Sequence, residues 1–304
     1  MTAPRQTSIG RIFITGGTGF VGSALRDALG DTPLRLLVRD IDKQGDHESQ
    51  HVEVVEGDVT DAGSLRDTMQ GCSIVIHLVA IIEETGHQTF DQVIRQGTEN
   101  VVNEARAAGV RRFIHMSALG AANLAEFPYH QAKWRAEEAV RSSGLDWTIF
   151  RPSIIFGPGD GFISTLAGVV RSFPVTPIAG DGQSRFQPVA VGDVAAAFVR
   201  AIDDPETIGQ TYELGGPDVV TYEQLLGLIA RQLGKSRPSI HLPVPLVRFA
   251  VAISKPLPKR LRPPVTTEQL KMLALDNTTA HSATEQLIGR SPLSLEGNLD
   301  YIHR

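Results

Sequence analysis

The first 151 residues alternate short apolar runs with helix-forming stretches, and this alternation constrains the topology more than any other property of the chain. Strand-like runs lie at Ile9–Thr15, Leu34–Arg39, Val52–Glu56, Ser73–Val79, Arg111–Ser117 and Asp146–Arg151. Helical stretches separate most of them, at Phe20–Leu29, Ala62–Met69, Phe90–Ala108 and Tyr129–Ser142. Gly109 and Gly144 follow two of these helices, where a residue free to adopt positive φ ends a helix. Successive strand-helix-strand units give parallel strands with helices on both faces. The expected fold class is therefore α/β, a doubly wound parallel sheet, and such sheets bind ligands beyond the carboxyl ends of their strands.

The pattern loosens after Arg151. Pro and Gly become frequent between Gly157 and Pro188, and helical patterns return at Val191–Ile202, Tyr222–Leu233, Leu246–Ser254 and Thr266–Leu275. A strand-like Gln210–Leu214 lies among them. The expected division is a nucleotide-binding domain over 1–156 and a smaller, mostly helical C-terminal lobe over 157–304, with segments near 189–215 returning to the sheet.

A glycine-rich turn supplies the chemistry of the first half. Thr15-Gly16-Gly17-Thr18-Gly19-Phe20-Val21-Gly22 follows the first strand and opens the first helix. Its glycines fit Gly-x-x-Gly-x-x-Gly at 16, 19 and 22, and Gly-x-Gly-x-x-Gly at 17, 19 and 22. Glycine lets the backbone approach a pyrophosphate, and the helix N-terminus presents N–H donors to it. Gly16, Thr18, Gly19, Phe20, Val21 and Gly22 are the expected phosphate-binding residues. The second strand ends at Arg39, 23 residues after Gly16. An acidic residue there would accept from a ribose 2′-hydroxyl, whereas arginine suits a 2′-phosphate, so NADP(H) is favoured over NAD(H). Asp40 follows directly and keeps NAD(H) open. Asp58 and Val59 follow the third strand, where an adenine edge would rest; the alternative for Asp58 is a turn or cap residue. Val79 and Ala80 end the fourth strand, where small apolar residues admit the cofactor; the alternative is core packing.

Tyr129 and Lys133 stand four apart, with Ser117 twelve residues upstream of Tyr129 at the end of an apolar run. Residues i and i+4 share one helix face. An ammonium beside a phenol lowers its pKa, and a phenol so tuned moves a proton near neutral pH. A serine hydroxyl nearby can bond the substrate oxygen that gains charge. With four tyrosines and six lysines in 304 residues, chance supplies such a pair about 0.08 times. The spacing therefore gains its meaning from the glycine turn and strand pattern around it.

Together these residues resemble the short-chain dehydrogenase/reductase superfamily, whose pattern matches at Gly16, Gly19, Gly22, Asp58, Ser117, Tyr129 and Lys133. Arg151-Pro152-Ser153-Ile154-Ile155-Phe156-Gly157 is similar to the segment that lies beside the nicotinamide, which implies Pro152, Ile154 and Ile155 as cofactor contacts. Gly180-Asp181-Gly182, Gln187-Pro188-Val189 and Gly192-Asp193-Val194-Ala195 are similar to the second-lobe substrate segment of the extended or atypical branch. Within that branch, Val38-Arg39-Asp40, His115–Gly120, Leu242–Leu246, Thr267–Leu270 and Asp276-Asn277 resemble the NAD(P)H-binding accessory subunit of respiratory complex I. The superfamily implies a Rossmann fold. It also implies Tyr129 as acid/base, Lys133 on the nicotinamide ribose and Ser117 on the substrate carbonyl. The subgroup implies NADPH held structurally. The interval from Ser117 to Tyr129 is shorter than in sugar-nucleotide epimerases, which argues against a nucleotide-sugar substrate.

Three functions stay open on this reading. The first is an oxidoreductase acting on a small or lipophilic carbonyl, alcohol or quinone-like compound. The second is a cofactor-holding subunit of a respiratory or quinone-synthesis assembly, and the third an NADP redox-sensing regulator. The net charge of −5 argues against a nucleic-acid binder. The lone Cys72 excludes an internal disulfide, and no metal-ligand spacing is present. Met1–Ser8 lacks the apolar segment of a signal peptide, so a cytoplasmic location is expected. The apolar Leu246–Ile253 followed by Lys255, Lys259, Arg260 and Arg262 suggests either a buried helix with a basic loop or a peripheral membrane contact through 242–265. His77 and His115 read as hydrogen-bonded strand histidines, His130 as exposed or facing the second lobe, Glu83-Glu84 as a solvated pair, and Arg185 as a residue that could meet an anionic substrate. The oligomeric state has no signature in the sequence.

Overall fold

A computed structural model describes residues 10–42, 49–86, 88–236, 238–247 and 275–303. The readings for Ile9, for 248–274 and for most of the 242–265 segment lie outside the described residues.

The central sheet has seven strands: β1 (Arg11–Thr15), β2 (Leu34–Val38), β3 (Val52–Glu56), β4 (Cys72–His77), β5 (Arg112–Met116), β6 (Asp146–Pro152) and a later strand, β11 (Gln210–Leu214). Their order is β11-β6-β5-β4-β1-β2-β3, and every pairing from β3 across to β6 is parallel. The direction of winding reverses between β1 and β4, so their carboxyl ends border the crevice in which ligands of such sheets bind. This is the doubly wound Rossmann architecture.

The strands are apolar on both faces because helices cover both. Phe13, Val75, Phe113 and Ile149 pack with Val101, Val102 and Ala105 of α2 (Gly97–Ala107) and Val140 of α3 (Pro128–Arg141). Phe150, of opposite parity to Ile149, meets Phe198 of α5 (Val191–Asp203) at 4.7 Å between ring centres. Each such buried side chain contributes roughly 1.5–3 kcal/mol. On α1 (Phe20–Leu29), Val21, Leu25 and Leu29 are buried.

Two helices differ from expectation. Residues 62–69 form consecutive turns rather than a helix. Their bonds run i→i−3, as in Ser64 N–H to Asp61 O and Thr68 N–H to Leu65 O, and Asp67 has φ 63°. Asp58, Asp61 and Ser64 side chains also bind local backbone groups that a helix would use. The expected helix over 90–108 begins as a π-helix, Asp91–Gln96, and becomes α-helical at Gly97.

By contact density the chain forms two units. The first runs to Arg151 and includes Ala195–Tyr212; the second comprises Pro152–Val194 and the chain from Glu213 onward. Within the second, α4 (Phe162–Ser172) and α6 (Tyr222–Gln232) share a core with Phe156, Ile178, Phe186, Leu295 and Ile302. Short strand pairs surround it: β7 (Ile155–Phe156) with β10 (Val189–Ala190), β8 (Thr176–Ala179) with β13 (Ser239–Leu242), and β9 (Arg185–Phe186) with β12 (Val220–Thr221).

Arg112 binds the later part of the first unit to the sheet. It is 7% exposed and donates to Ala201 O, Asp146 O, Thr148 Oγ1 and Thr207 Oγ1 at 2.5–3.2 Å. Burial lowers its pKa to about 10. Arg112→Met would leave these acceptors without their donor and is expected to cost about 3 kcal/mol, measured by urea unfolding. An unchanged unfolding midpoint would show that water replaces the guanidinium without loss.

Candidate active site

Gly16 and Gly22 set the shape of the first turn. Gly16 has φ +73°, and a Cβ there would lie 3.2 Å from Val79 N on the neighbouring strand end. A Cβ on Gly22 would lie 2.3 Å from Gly16 O and 2.6 Å from Gly17 Cα, so α1 reaches the turn only where this residue has no side chain. Gly19 occupies the N-cap of α1, and no side chain caps the helix. The first-turn amides of Phe20, Val21 and Gly22 are thus presented to an anion, with Thr18 half-buried beside them. A dinucleotide pyrophosphate fits this cradle, because the space a Cβ would occupy at Gly19 is bounded only by Gly16 O at 3.3 Å.

Arg39 lies exposed immediately beyond β2, at the carboxyl edge of the sheet. Asp58 is engaged with its own turn: its Oδ1 accepts from Thr60 N–H and Thr60 Oγ1, both at 2.8 Å. Val59 packs in the core beside Gly97, where an added Cβ would come within 2.9 Å of it. Val79 and Ala80 are half-buried at the end of β4, and the Val79 backbone is the part that approaches Gly16.

Ser117, Lys133 and a residue absent from the sequence reading, Glu137, are brought together by β5 and α3. Lys133 is 1% exposed and donates to Met116 O at 2.9 Å. Ser117 Oγ donates to Glu137 Oε1 at 2.5 Å. Glu137 is fully buried and also accepts from Arg151 Nε and Nη2, at 2.8 and 2.6 Å, and from Arg141 Nη2 at 2.7 Å. The spacing Tyr129–Lys133–Glu137 on one helical face was visible in the sequence; what concealed it was that a glutamate on a helix is ordinarily solvated.

Tyr129 is half-buried, with its ring edge-on to Phe90 at 5.6 Å. Phe90 and Ile94, beside and within the π-helix, pack with Ala132 and Ala136 of α3, and Ile81, Ala80 and Tyr129 adjoin them. Burial pushes the Tyr129 phenol up to about 12. This reverses the expectation that Lys133 would lower it. Lys133 is itself desolvated and drawn down to about 8, with Glu137 opposing the fall. Desolvation thus disfavours the charged form of both groups.

The histidines divide. Thr98 Oγ1 donates to Ile94 O, so it accepts from His77 Nε2–H at 3.0 Å, and Thr15 Oγ1 donates to His77 Nδ1 at 2.6 Å. Burial holds His77 neutral, near 3. His115 stacks on His77 at 5.4 Å and is equally buried, but among the described residues neither ring nitrogen has a hydrogen-bond partner, unlike the expectation. His130 is 5% exposed rather than solvated, because it turns against Phe127 and the Gly120 turn. Glu84 accepts from Phe90 N–H at 2.8 Å and so anchors the entry to the π-helix.

In the second unit, Pro152 is buried at the end of β6, Ile154 N–H donates to Asn277 Oδ1 at 3.0 Å, and Ile155 pairs in β7 with Val189. Arg185 is paired with Asp276 through Nε and Nη2. Asp193 is fully buried and accepts from Arg290 and from Leu293 N–H, tying the C-terminal stretch to α5. Among the described residues no cluster of metal ligands occurs and no helix is long and apolar enough to cross a membrane.

The fold and its glycine turn define a Rossmann protein of the NAD(P)H-binding, oxidoreductase-like class. A family described as NAD(P)H-binding matches residues 16–205. The chain belongs to the short-chain dehydrogenase/reductase superfamily, in its extended or atypical branch, and is similar to the accessory subunit of complex I. A mitochondrial NADH dehydrogenase [ubiquinone] 1 alpha subcomplex subunit 9 from Arabidopsis thaliana is 32% identical over 260 residues, 81% of this chain and 64% of that one. The chain therefore spans less than two thirds of that relative's length. A ceramide reductase from Caulobacter vibrioides is 32% identical over 248 residues, 80% of this chain and 77% of the relative. In fold, the NADPH-dependent quinone oxidoreductase of Escherichia coli, solved with NADPH, superposes with TM-score 0.75 at 22% identity, covering 96% of this chain and all of that one.

Proposed function

We propose that the protein is an NADPH-dependent reductase of a lipophilic carbonyl or quinone, with Tyr129 as proton donor, Lys133 on the nicotinamide ribose and Ser117 beside the reacting oxygen. The observation that carries this reading is the placement of Tyr129 and Lys133 one turn apart on α3, with Lys133 bonded to Met116 O and Ser117 bonded to Glu137 of the same helix. The buried Tyr129 phenol stays protonated at neutral pH and, as a weak acid, gives its proton only to a strongly basic oxygen such as the alkoxide that forms as hydride arrives. When bound, NADPH supplies the hydride. Lys133 keeps two N–H donors beyond the one spent on Met116 O, enough for a ribose hydroxyl pair. The ceramide reductase and the quinone oxidoreductase named above support a lipophilic acceptor. The test is NADPH consumption by the purified protein with long-chain ketones and quinones, and with Lys133→Met as control. Turnover that Lys133→Met leaves intact would overturn the assignment.

Arg39 is assigned to the 2′-phosphate on its position past β2. Arg39→Ala is expected to weaken NADPH about tenfold and leave NADH unchanged, by fluorescence titration. Equal loss for both cofactors would remove the phosphate role.

A second reading rests on the similarity to the mitochondrial subunit: a cofactor-holding component of a membrane-associated respiratory or quinone-synthesis assembly. It predicts nicotinamide that survives dialysis, no turnover with any acceptor, and recovery of the chain with a membrane complex. Rapid cofactor exchange with turnover excludes it.

A further inference from the structure

The first unit buries a carboxylate that the reaction scheme above does not use. Glu137 has no exposed surface, yet four donors converge on it from Ser117, Arg141 and, twice, Arg151. A buried carboxylate is retained at a cost of desolvation that its partners must offset. Here the partners are the proposed substrate serine and two guanidinium groups, and Lys133 stands one helical turn away on the same face of α3.

We propose that Glu137 is a positioning residue of this site: clamped by Arg151 and Arg141, it fixes the Ser117 hydroxyl in one orientation and is the counter-charge of Lys133. A serine has one proton to give. Ser117 gives it to Glu137, so Ser117 Oγ offers only lone pairs to anything else, and the proton reaching a substrate oxygen comes from Tyr129. The charge argument is independent of the serine. Among the described residues, Glu137 is a buried carboxylate that accepts from Arg141 and Arg151 and stabilises the charge of Lys133. Arg141 also reaches Glu138 at the surface. Without the Glu137 charge three cations lack it, and only lysine readily discharges, because a guanidinium stays protonated.

The other ionisable groups around Lys133 do not replace Glu137. His77 on β4 and His115 on β5 are driven neutral by burial. Tyr129 on α3 is neutral for the same reason. On the π-helix and α2, Asp91 and Glu99 are paired with Arg95 toward solvent.

The inference rests on the reading of Ser117, Tyr129 and Lys133 above, but its test does not need turnover. The full chain has six lysines, and the Lys133 signal in lysine-selective NMR is assigned by its loss in Lys133→Met. The wild-type signal should titrate near pH 8. In Glu137→Gln the midpoint should fall by about one pH unit, since removal of a neighbouring negative charge disfavours the ammonium. Ser117→Ala should leave it within about 0.3 of a unit. Glu137→Gln combined with Arg151→Met should return it toward the wild-type value, and this pair serves where the single variant folds poorly. NADPH affinity should match wild type at pH 6 and be about fivefold weaker for Glu137→Gln at pH 8. An unmoved Lys133 midpoint in Glu137→Gln, or no recovery in the double variant, overturns the proposal. A moved midpoint with NADPH affinity indifferent to Lys133→Met supports the Glu137 assignment and overturns the ribose role of Lys133 instead.

Discussion

Gly22→Ala is expected to abolish measurable NADPH binding and to destabilise the fold together. The new Cβ would stand 2.3 Å from Gly16 O, 2.6 Å from Gly17 Cα and 2.7 Å from Gly17 C, all backbone atoms of the turn itself. No rotamer relieves this contact. Either the turn moves off the helix or α1 moves off the sheet, and α1 carries buried Leu25 and Leu29 with it. Overpacking against backbone costs about 1–3 kcal/mol, and displacement of the first-turn amides should weaken NADPH by at least about 100-fold. Gly19→Ala is the informative contrast, because its Cβ would meet only Gly16 O at 3.3 Å. It should leave the urea midpoint unchanged while lowering NADPH affinity, the loss falling on cofactor approach alone. Retention of both wild-type stability and wild-type affinity in Gly22→Ala would refute the close helix-to-turn packing.

Tyr129→Phe is expected to lower carbonyl or quinone reduction about 10³-fold, the range for loss of a positioned proton donor, with NADPH affinity preserved. The substitution keeps the ring and its edge-on contact with Phe90, so folding is not the cause of any loss. The pH dependence separates Tyr129 from Lys133. Burial raises Tyr129 to about 12, so its donor form persists as pH rises through neutrality and is lost only near that value. Lys133 is lowered to about 8, so its ammonium form is present below that pH and is lost above it. The wild-type rate should therefore be level from about pH 6 to 7 and decline through about 8. Stopped-flow NADPH oxidation across this range checks both statements. Full activity in Tyr129→Phe would remove Tyr129 as the proton donor, whereas absence of turnover in the wild type would leave the protein as a holder of cofactor rather than a reductase.

Much of the first unit was legible because its rules are local. The glycine turn, the strands from Leu34 to Asp146 and the parallel order follow from apolar periodicity, glycine placement and crossover geometry. The run 62–69 misled because its apolar spacing suits a helix, while Asp58, Asp61 and Ser64 capture backbone groups and Asp67 takes a positive φ. The π-helix is invisible to periodicity, since one inserted residue per turn changes the register without changing the composition. Tyr129 and Lys133 were found by spacing, but the environment of each depends on burial contributed by Phe90, His77 and Met116, which are distant in sequence. Glu137 drew no reading from the sequence because a polar residue on a helix is ordinarily solvated, and the burial of both Glu137 and His130 comes from tertiary contacts.

The placement of β11 bears on how the chain can be made and cut. The sheet takes its last strand from Gln210–Leu214, about sixty residues past β6, and Arg112 in β5 finds two acceptors only at Ala201 and Thr207. During synthesis the cofactor-binding unit therefore stays incomplete until the ribosome has passed the first stretch of the second unit. The backbone crosses between the units at 151–152, 194–195 and 212–213, so no single scission releases either as an intact piece. A protein cut after Arg151 would hold every glycine of the nucleotide turn, yet would have an unpaired sheet edge and a buried guanidinium short of acceptors.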